Sequence, residues 1–244
     1  MKQCLSAMPA AFELSAGAYE ELDKAGFTIV PEAVPAEDLA SVAAAYDAAV
    51  ESAAPNDIRV GSSTTRVNGL IDRGPEFDAL YLHPLILKAC GRILNEPYKL
   101  SAMHARTLRP KTDAQNFHLD YERDRRGWTM IGFIAMVDAF RDDNGATRFV
   151  PGSHLWSKAP PELLDGSKAA YPGQVLACGP AGSMILFNGS VWHGHGANRS
   201  AESRRSIQGA YIRRDAESKA DLTTHVLPET FSRLSPLAKY VLAV

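Results

Sequence analysis

Asn116-Phe117-His118-Leu119-Asp120 sets an imidazole and a carboxylate two residues apart in a segment with an extended pattern. On a strand, residues i and i+2 project from one face, so His118 and Asp120 can aim at a common point. Farther along, an apolar run from Gly182 turns at Asn188-Gly189 and ends in His193-Gly194-His195. Either of these histidines could bring a third ligand from a neighbouring strand. Two histidines and one carboxylate leave adjacent octahedral positions open, the arrangement that suits non-haem Fe(II) and oxygen chemistry. Zinc would instead close four ligands or keep a single water, and no adjacent carboxylate offers a general base for zinc-assisted hydrolysis. Arg204 follows eleven residues after His193, at the entry to the alternating run Ile207–Ile212. An arginine that enters a core strand needs an anionic partner. A dicarboxylate ligand would supply one through paired hydrogen bonds, and a rim arginine in solvent is the plainer alternative.

The elements that must position these groups change character near residue 98. Before it, apolar residues recur at helical spacing from Pro35 to Ser52, with Glu37 and Asp38 in the first turn against the positive end of the helix dipole. Helices are also expected from about Pro84 to Leu94 and from Ala16 to Lys24, the latter stopped by Gly26. After it come short β-like runs divided by Gly, Pro and Asp/Asn: Tyr98–Leu108, Trp128–Val137, Thr147–Val150, Gln174–Cys178, Ser183–Phe187 and Ser206–Ile212. Strands this short point to a sandwich or barrel. The expected architecture is mainly β with flanking helices, in one domain over residues 1–244. It has a helix-rich part at 1–97, a double-sheet core at about 98–213 and a C-terminal extension at 214–244.

Composition narrows the function classes. The 244 residues are 45% hydrophobic and 22% charged, with a formal net charge of −2, which is ordinary for a globular protein and carries no electrostatic footprint for nucleic acid or an anionic membrane. The longest uninterrupted non-polar run, Met130 to Val137, is eight residues, against the roughly 20 that a membrane helix needs. No basic stretch followed by an apolar core opens the chain, so no signal peptide is expected. The odd cysteine count, Cys4, Cys90 and Cys178, reads as reduced thiols, and the expected location is cytoplasmic.

Taken in order, His118-x-Asp120, the stretch from Asp143-Asn144-Gly145 to Pro151-Gly152-Ser153-His154, the run from His193 to Asn198, and Arg204 resemble the phytanoyl-CoA dioxygenase family. Leu100–Pro110 is similar to the strand that precedes its metal motif, and the likeness spans about Asp78 to Tyr211. The resemblance implies a double-stranded β-helix (a cupin-like jelly roll) that uses Fe(II), 2-oxoglutarate and O2 to hydroxylate a substrate, releasing succinate and CO2. It implies His118, Asp120 and His193 as iron ligands, with His193 preferred to His195, and Arg204 as the partner of the distal carboxylate of 2-oxoglutarate. It places Leu119 and Arg106 near the cosubstrate. Leu119 can offer only packing there, and an arginine at 106 departs from the family pattern, either binding an anionic group or reaching solvent. His195 is expected to line the site and His154 to hold a turn. Because Asp120 is a carboxylate, the resemblance implies hydroxylation or a related oxidation and not halogenation. A small-molecule substrate is expected, with Arg66, Asn68 and the charged 121–127 loop as candidates for contacting it. The alternatives are a cupin-type metalloenzyme that does not use 2-oxoglutarate, and a non-catalytic binding protein on the same scaffold.

Overall fold

The computed structural model describes residues 13–157, 168–218 and 226–244. Cys4 and His225 lie outside the described residues. Helix α1 (Ala16–Ala25) starts where Ser15 Oγ accepts the Ala18 N–H at 3.1 Å, and it stops at Gly26, whose φ of 85° is a left-handed conformation open to glycine. α2 (Ala36–Glu51) carries Glu37 and Asp38 in its first turn, and α4 (Pro84–Leu94) begins on a proline whose missing N–H costs nothing there. The short α3 (Asp78–Tyr81) lies between α2 and α4 in the chain. Two further helices, α5 (Pro228–Arg233) and α6 (Pro236–Leu242), follow the β core.

The strands are β1 (Phe27–Val30), β2 (Ile58–Val60), β3 (Thr64–Val67), β4 (Tyr98–Leu108), β5 (Met130–Met136), β6 (Thr147–Phe149), β7 (Val175–Ala177), β8 (Met184–Asn188), β9 (His193–His195) and β10 (Arg204–Arg213). They form a large antiparallel sheet in the order β1-β8-β5-β10-β4-β3-β2 and a small one in the order β7-β6-β9. This is the expected jelly-roll core. Three differences from the sequence reading matter. Strands β1, β2 and β3 stand within the part expected to be helix-rich, because each is too short to announce itself by alternation. β10 begins at Arg204, two residues earlier than expected. The His118–Asp120 segment is not a regular strand: it holds to β9 through one isolated bridge, His118↔His193.

Alternation along the long strands divides two cores. On β4 and β10, Leu100, Ala105, Ile207 and Tyr211 face the helices, where they join Tyr46, Phe77, Ile86 and Leu87. Ile134, Ile185, Phe187 and Ile212 face the small sheet and join Phe149 and Ala177. Tyr211↔Leu100 and Ala210↔Ala102 are successive partners, so β4 carries an extra residue at Ser101. That bulge reverses the phase of everything after it. His104 and Arg106 thereby turn to the inter-sheet face, opposite to the side that Tyr98 and Leu100 occupy.

Among the described residues no helix is long and apolar enough to cross a membrane. Cys90 and Cys178 are free thiols.

Gly26 is a test of how the helical layer joins the core. A Cβ there would sit 2.6 Å from His154 Nδ1 and 2.9 Å from Val191 Cγ2, on a backbone already at positive φ. We expect Gly26→Ala to lower unfolding stability by about 1–3 kcal/mol, read from the shift in urea midpoint at constant slope.

Candidate active site

Residues 112–121 run antiparallel to β9 as an irregular fourth strand of the small sheet. The Thr112 N–H donates to Asn198 O, Gln115 N–H to His195 O, and His118 N–H to His193 O at 3.0 Å, with His193 N–H returning to His118 O at 2.9 Å. Asp120 N–H then donates to Gly189 O in the turn before β9. Gly194 permits the close approach, since a Cβ there would lie 3.0 Å from Asn116 O. The paired backbones set the His118 and His193 rings 4.5 Å apart.

Each imidazole is oriented by its own chain. His118 Nδ1 meets Asn116 O at 3.2 Å and His193 Nδ1 meets Val191 O at 2.9 Å. A carbonyl can only accept, so both protons sit on Nδ1 and both Nε2 lone pairs are free. Those Nε2 atoms lie 3.8 and 3.6 Å from the two Asp120 oxygens, too far for hydrogen bonds. His118, Asp120 and His193 thus offer three ligand atoms within 4.8 Å of one another. Burial, and secondarily the neighbouring His193, pushes the His118 pKa down to about 4, which keeps its ligand nitrogen unprotonated at neutral pH. Phe149 and Phe187 pack beside His193 and hold its ring from the other side. A facial set of two imidazoles and one carboxylate suits Fe(II).

The pocket these groups face has a volume of about 100 Å³, and it is also lined by Arg66, His104, Arg106, His195, Arg204 and Gln208. Arg204 is 2% exposed, and its guanidinium lies 3.8 Å over the Phe140 ring. Its Nε and Nη1 have no hydrogen-bond partner. Burial lowers its pKa to about 10, so it remains a cation at neutral pH. Its neighbour Arg205 points the other way, to Asp138 and Asp47; alternation sends one of the pair inward and the other to the surface. The solvent-rim alternative for Arg204 is thereby excluded.

Arg106 is 8% exposed and does not reach solvent. Its Nη1 and Nη2 donate to Gln208 Oε1 and Gln115 Oε1 at 3.3 and 3.0 Å, and its Nε has no partner. Burial first, and Arg66 second, lowers its pKa to about 9. His195 also lines the pocket and its Nε2 meets Ser63 Oγ at 2.9 Å.

Other expectations fall elsewhere. Leu119 is half-buried and outside the pocket lining, because its two neighbours turn inward and it turns away. His154 pins the 151–156 turn to Asp23 O at 3.0 Å. Arg66 lines the pocket, whereas the Asn68 backbone braces Asp57 and Arg73. In the 121–127 loop, Arg126 pairs with Glu96 and Asp215, and Asp124 with Arg213, so those charges are engaged within the protein. Sequence reading missed His104, Gln115 and Gln208. Gln208 was within reach, since it follows Arg204 at even spacing along the same face of β10.

A jelly roll with a two-histidine, one-carboxylate face beside a buried unpaired arginine defines a class of metal-site proteins. The chain belongs to the phytanoyl-CoA dioxygenase (PhyH) family, whose sequence model matches residues 22–206. Among curated relatives, the dioxygenase cdmD of Talaromyces verruculosus is 35% identical over 137 residues, covering 51% of this chain and 43% of that protein. The dioxygenase andF of Emericella variicolor is 30% identical over 206 residues, covering 77% and 68%. With the dioxygenase aneA of Aspergillus aculeatus, 28% identical, the match covers 73% of this chain and 63% of the relative. The first two relatives matched are thus spanned over only 43% and 63% of their lengths. In fold, the chain is similar to the non-haem alpha-ketoglutarate-dependent carbocyclase SnoK from nogalamycin biosynthesis (TM-score 0.70, 21% identity, 91% and 92% coverage). It is also similar to HygX of Streptomyces hygroscopicus, crystallised with nickel, 2-oxoglutarate and hygromycin B (TM-score 0.69, 15% identity, 84% and 90% coverage).

His104 supplies a test of the pocket's electrostatics. Burial, then Arg66 and Arg106, holds its pKa at about 3 against 6.5 in the open chain. Between those values the unfolded state takes up the proton and the folded state does not, so stability falls as pH falls through this window. We expect His104→Gln to remove about 1.4 kcal/mol per pH unit of that slope between pH 4 and 6. Urea denaturation of the metal-free protein at stepped pH measures it.

Proposed function

We propose that the chain is a non-haem Fe(II)- and 2-oxoglutarate-dependent dioxygenase that hydroxylates a small molecule and releases succinate and CO2. The observation that carries this reading is the shared pocket: three metal-ligand atoms at one side, and the Arg204 guanidinium with two unsatisfied nitrogens at another. His118, Asp120 and His193 would hold the iron, and Arg204 the distal carboxylate of 2-oxoglutarate. The bound metal, cosubstrate and O2 supply the oxidising chemistry. The chain's own residues bind and orient. The Nδ1 hydrogen bonds fix both imidazole tautomers, Phe140 supports the arginine face, and Phe149, Phe187 and Ile134 keep water from the inter-sheet side. A dicarboxylate docked on Arg204 would satisfy its orphaned donors in a dry setting, where paired charge-assisted bonds are strong.

The relatives named above are dioxygenases. SnoN, a structural neighbour with 19% identity and a TM-score of 0.70, was crystallised with Fe3+, alpha ketoglutarate and nogalamycin RO. Small-molecule ligands in such neighbours support a small-molecule substrate here.

Titration of anaerobic, Fe(II)-loaded protein with 2-oxoglutarate tests the reading through the weak visible metal-to-ligand charge-transfer band. Wild type should develop the band. Asp120→Ala should lose iron. Arg204→Ala should keep iron and bind 2-oxoglutarate at least ~30-fold more weakly, as expected when one partner of a buried charge pair is truncated. Iron retention with no band, and activity indifferent to Arg204→Ala, would favour a cupin-type metalloenzyme that does without 2-oxoglutarate.

A further inference from the structure

The pocket holds more positive charge than the cosubstrate can use. Arg66, Arg106 and Arg204 line it against a single carboxylate, Asp120. Among the described residues, none of the three arginines has a carboxylate within ion-pair distance. A divalent metal and dianionic 2-oxoglutarate would cancel each other, and Asp120 offsets one guanidinium. Two positive charges then remain after the Fe(II) and 2-oxoglutarate of the proposed function are in place.

These charges sit together by construction. Arg66 on β3 is the direct cross-strand partner of Arg106 on β4. Like charges directly opposite each other are destabilising, and among the described residues no carboxylate pairs with either arginine at contact distance, Asp120 acting on Arg106 only from farther away. The protein gives Arg106 only two neutral amide oxygens, from Gln208 and Gln115, and leaves its Nε unsatisfied at 8% exposure. His104 Nε2, on the same face two residues back, is buried and unpartnered as well. Farther across the same sheet, on β5 and β8, the pocket lining is apolar, made by Met130, Ile134 and Phe187.

We propose that the Arg66–Arg106 pair is the anchoring site for the substrate itself, and that the substrate is a small carboxylate whose anionic end docks on these arginines while its hydrocarbon body lies along Met130, Ile134 and Phe187. This deepens the dioxygenase reading and rests on it. Arg204 serves the cosubstrate, and the Arg66–Arg106 pair serves the molecule to be oxidised. An anion between the two guanidinium groups removes their repulsion and satisfies the orphaned Arg106 nitrogen, which neither the fold nor 2-oxoglutarate on Arg204 does.

The 244-residue chain loaded with Ni(II) and saturated with 2-oxoglutarate, titrated calorimetrically with 3-phenylpropionate and with its neutral counterpart 3-phenylpropanamide, tests the proposal. The carboxylate should bind and the amide should bind at least ~10-fold more weakly, the range for loss of a charge-assisted bond. Arg66→Gln, at a half-buried position that the fold tolerates, and Arg106→Gln should each weaken 3-phenylpropionate by a similar factor and leave 2-oxoglutarate affinity within about twofold. Equal binding of carboxylate and amide overturns the proposal. So does a loss of 2-oxoglutarate affinity in both arginine variants, which would assign the pair to the cosubstrate. Failure of 2-oxoglutarate to bind wild-type protein strikes the cosubstrate reading instead, and the carboxylate-over-amide preference and its dependence on Arg66 are then read in protein loaded with Ni(II) alone.

Discussion

The reciprocal backbone pair between His118 and His193 is the contact on which the candidate centre depends. One residue donates its N–H and accepts with its C=O, and the other does the same, at 3.0 and 2.9 Å. Backbone pairing fixes side-chain direction far more tightly than a side-chain contact can. Once that pair is made, the two rings must lie side by side, Asp120 must follow onto Gly189 O, and Gly194 must lack a side chain to let Asn116 approach. The three candidate ligands thus come from two segments far apart in sequence that a single two-bond ladder brings together.

Around that ladder the structure tolerates buried charge in an uneven way. Arg205, Arg126 and Arg213 are each matched by carboxylates. Arg148 gives its Nη donors to the Lys168, Ala169 and Gln115 carbonyls and lies against the Phe117 ring. Arg106 and Arg204, which face the pocket, keep unsatisfied nitrogens, as Arg148 Nε and Arg213 Nη1 do away from it. A buried donor without a partner costs about 1–3 kcal/mol, so each of these four arginines lowers the protein's own stability, and two of them do so inside the pocket.

Much of this was legible in the sequence. The helices showed by apolar spacing, and the long core strands by apolar runs between turn residues. The candidate ligand set was suggested by a His-x-Asp spacing that is a weak signal alone and gains weight only from the second cluster at His193 and His195, and the family resemblance chose His193 over His195. Other features were hidden for physical reasons. β1, β2 and β3 are only three or four residues long, shorter than the alternation that would reveal them. The bulge at Ser101 has no local signature, and without it strict alternation from Tyr98 would turn His104 and Arg106 toward the helices. Leu119, next to two candidate ligands in sequence, is outside the pocket lining, because neighbouring residues on an extended chain face opposite ways. The cross-strand meeting of Arg66 with Arg106 depends on a register that no local pattern encodes.

The pairing of β1 with β8 has a consequence for how the molecule comes into being. Phe27 meets Phe187, 160 positions later in the chain, and the Asn188 N–H that opens the turn toward His193 donates to Gly26 O. On a ribosome, the first strand therefore leaves the exit tunnel and waits for most of the polypeptide before its edge partner exists. Contacts of such long sequence separation form late and slowly. In that interval the edge of β1 later paired by β8 stays open to solvent and to other chains. The candidate centre is thus among the last parts of the nascent chain to be assembled, after a stage in which the chain's unpaired strand edges are open to other chains.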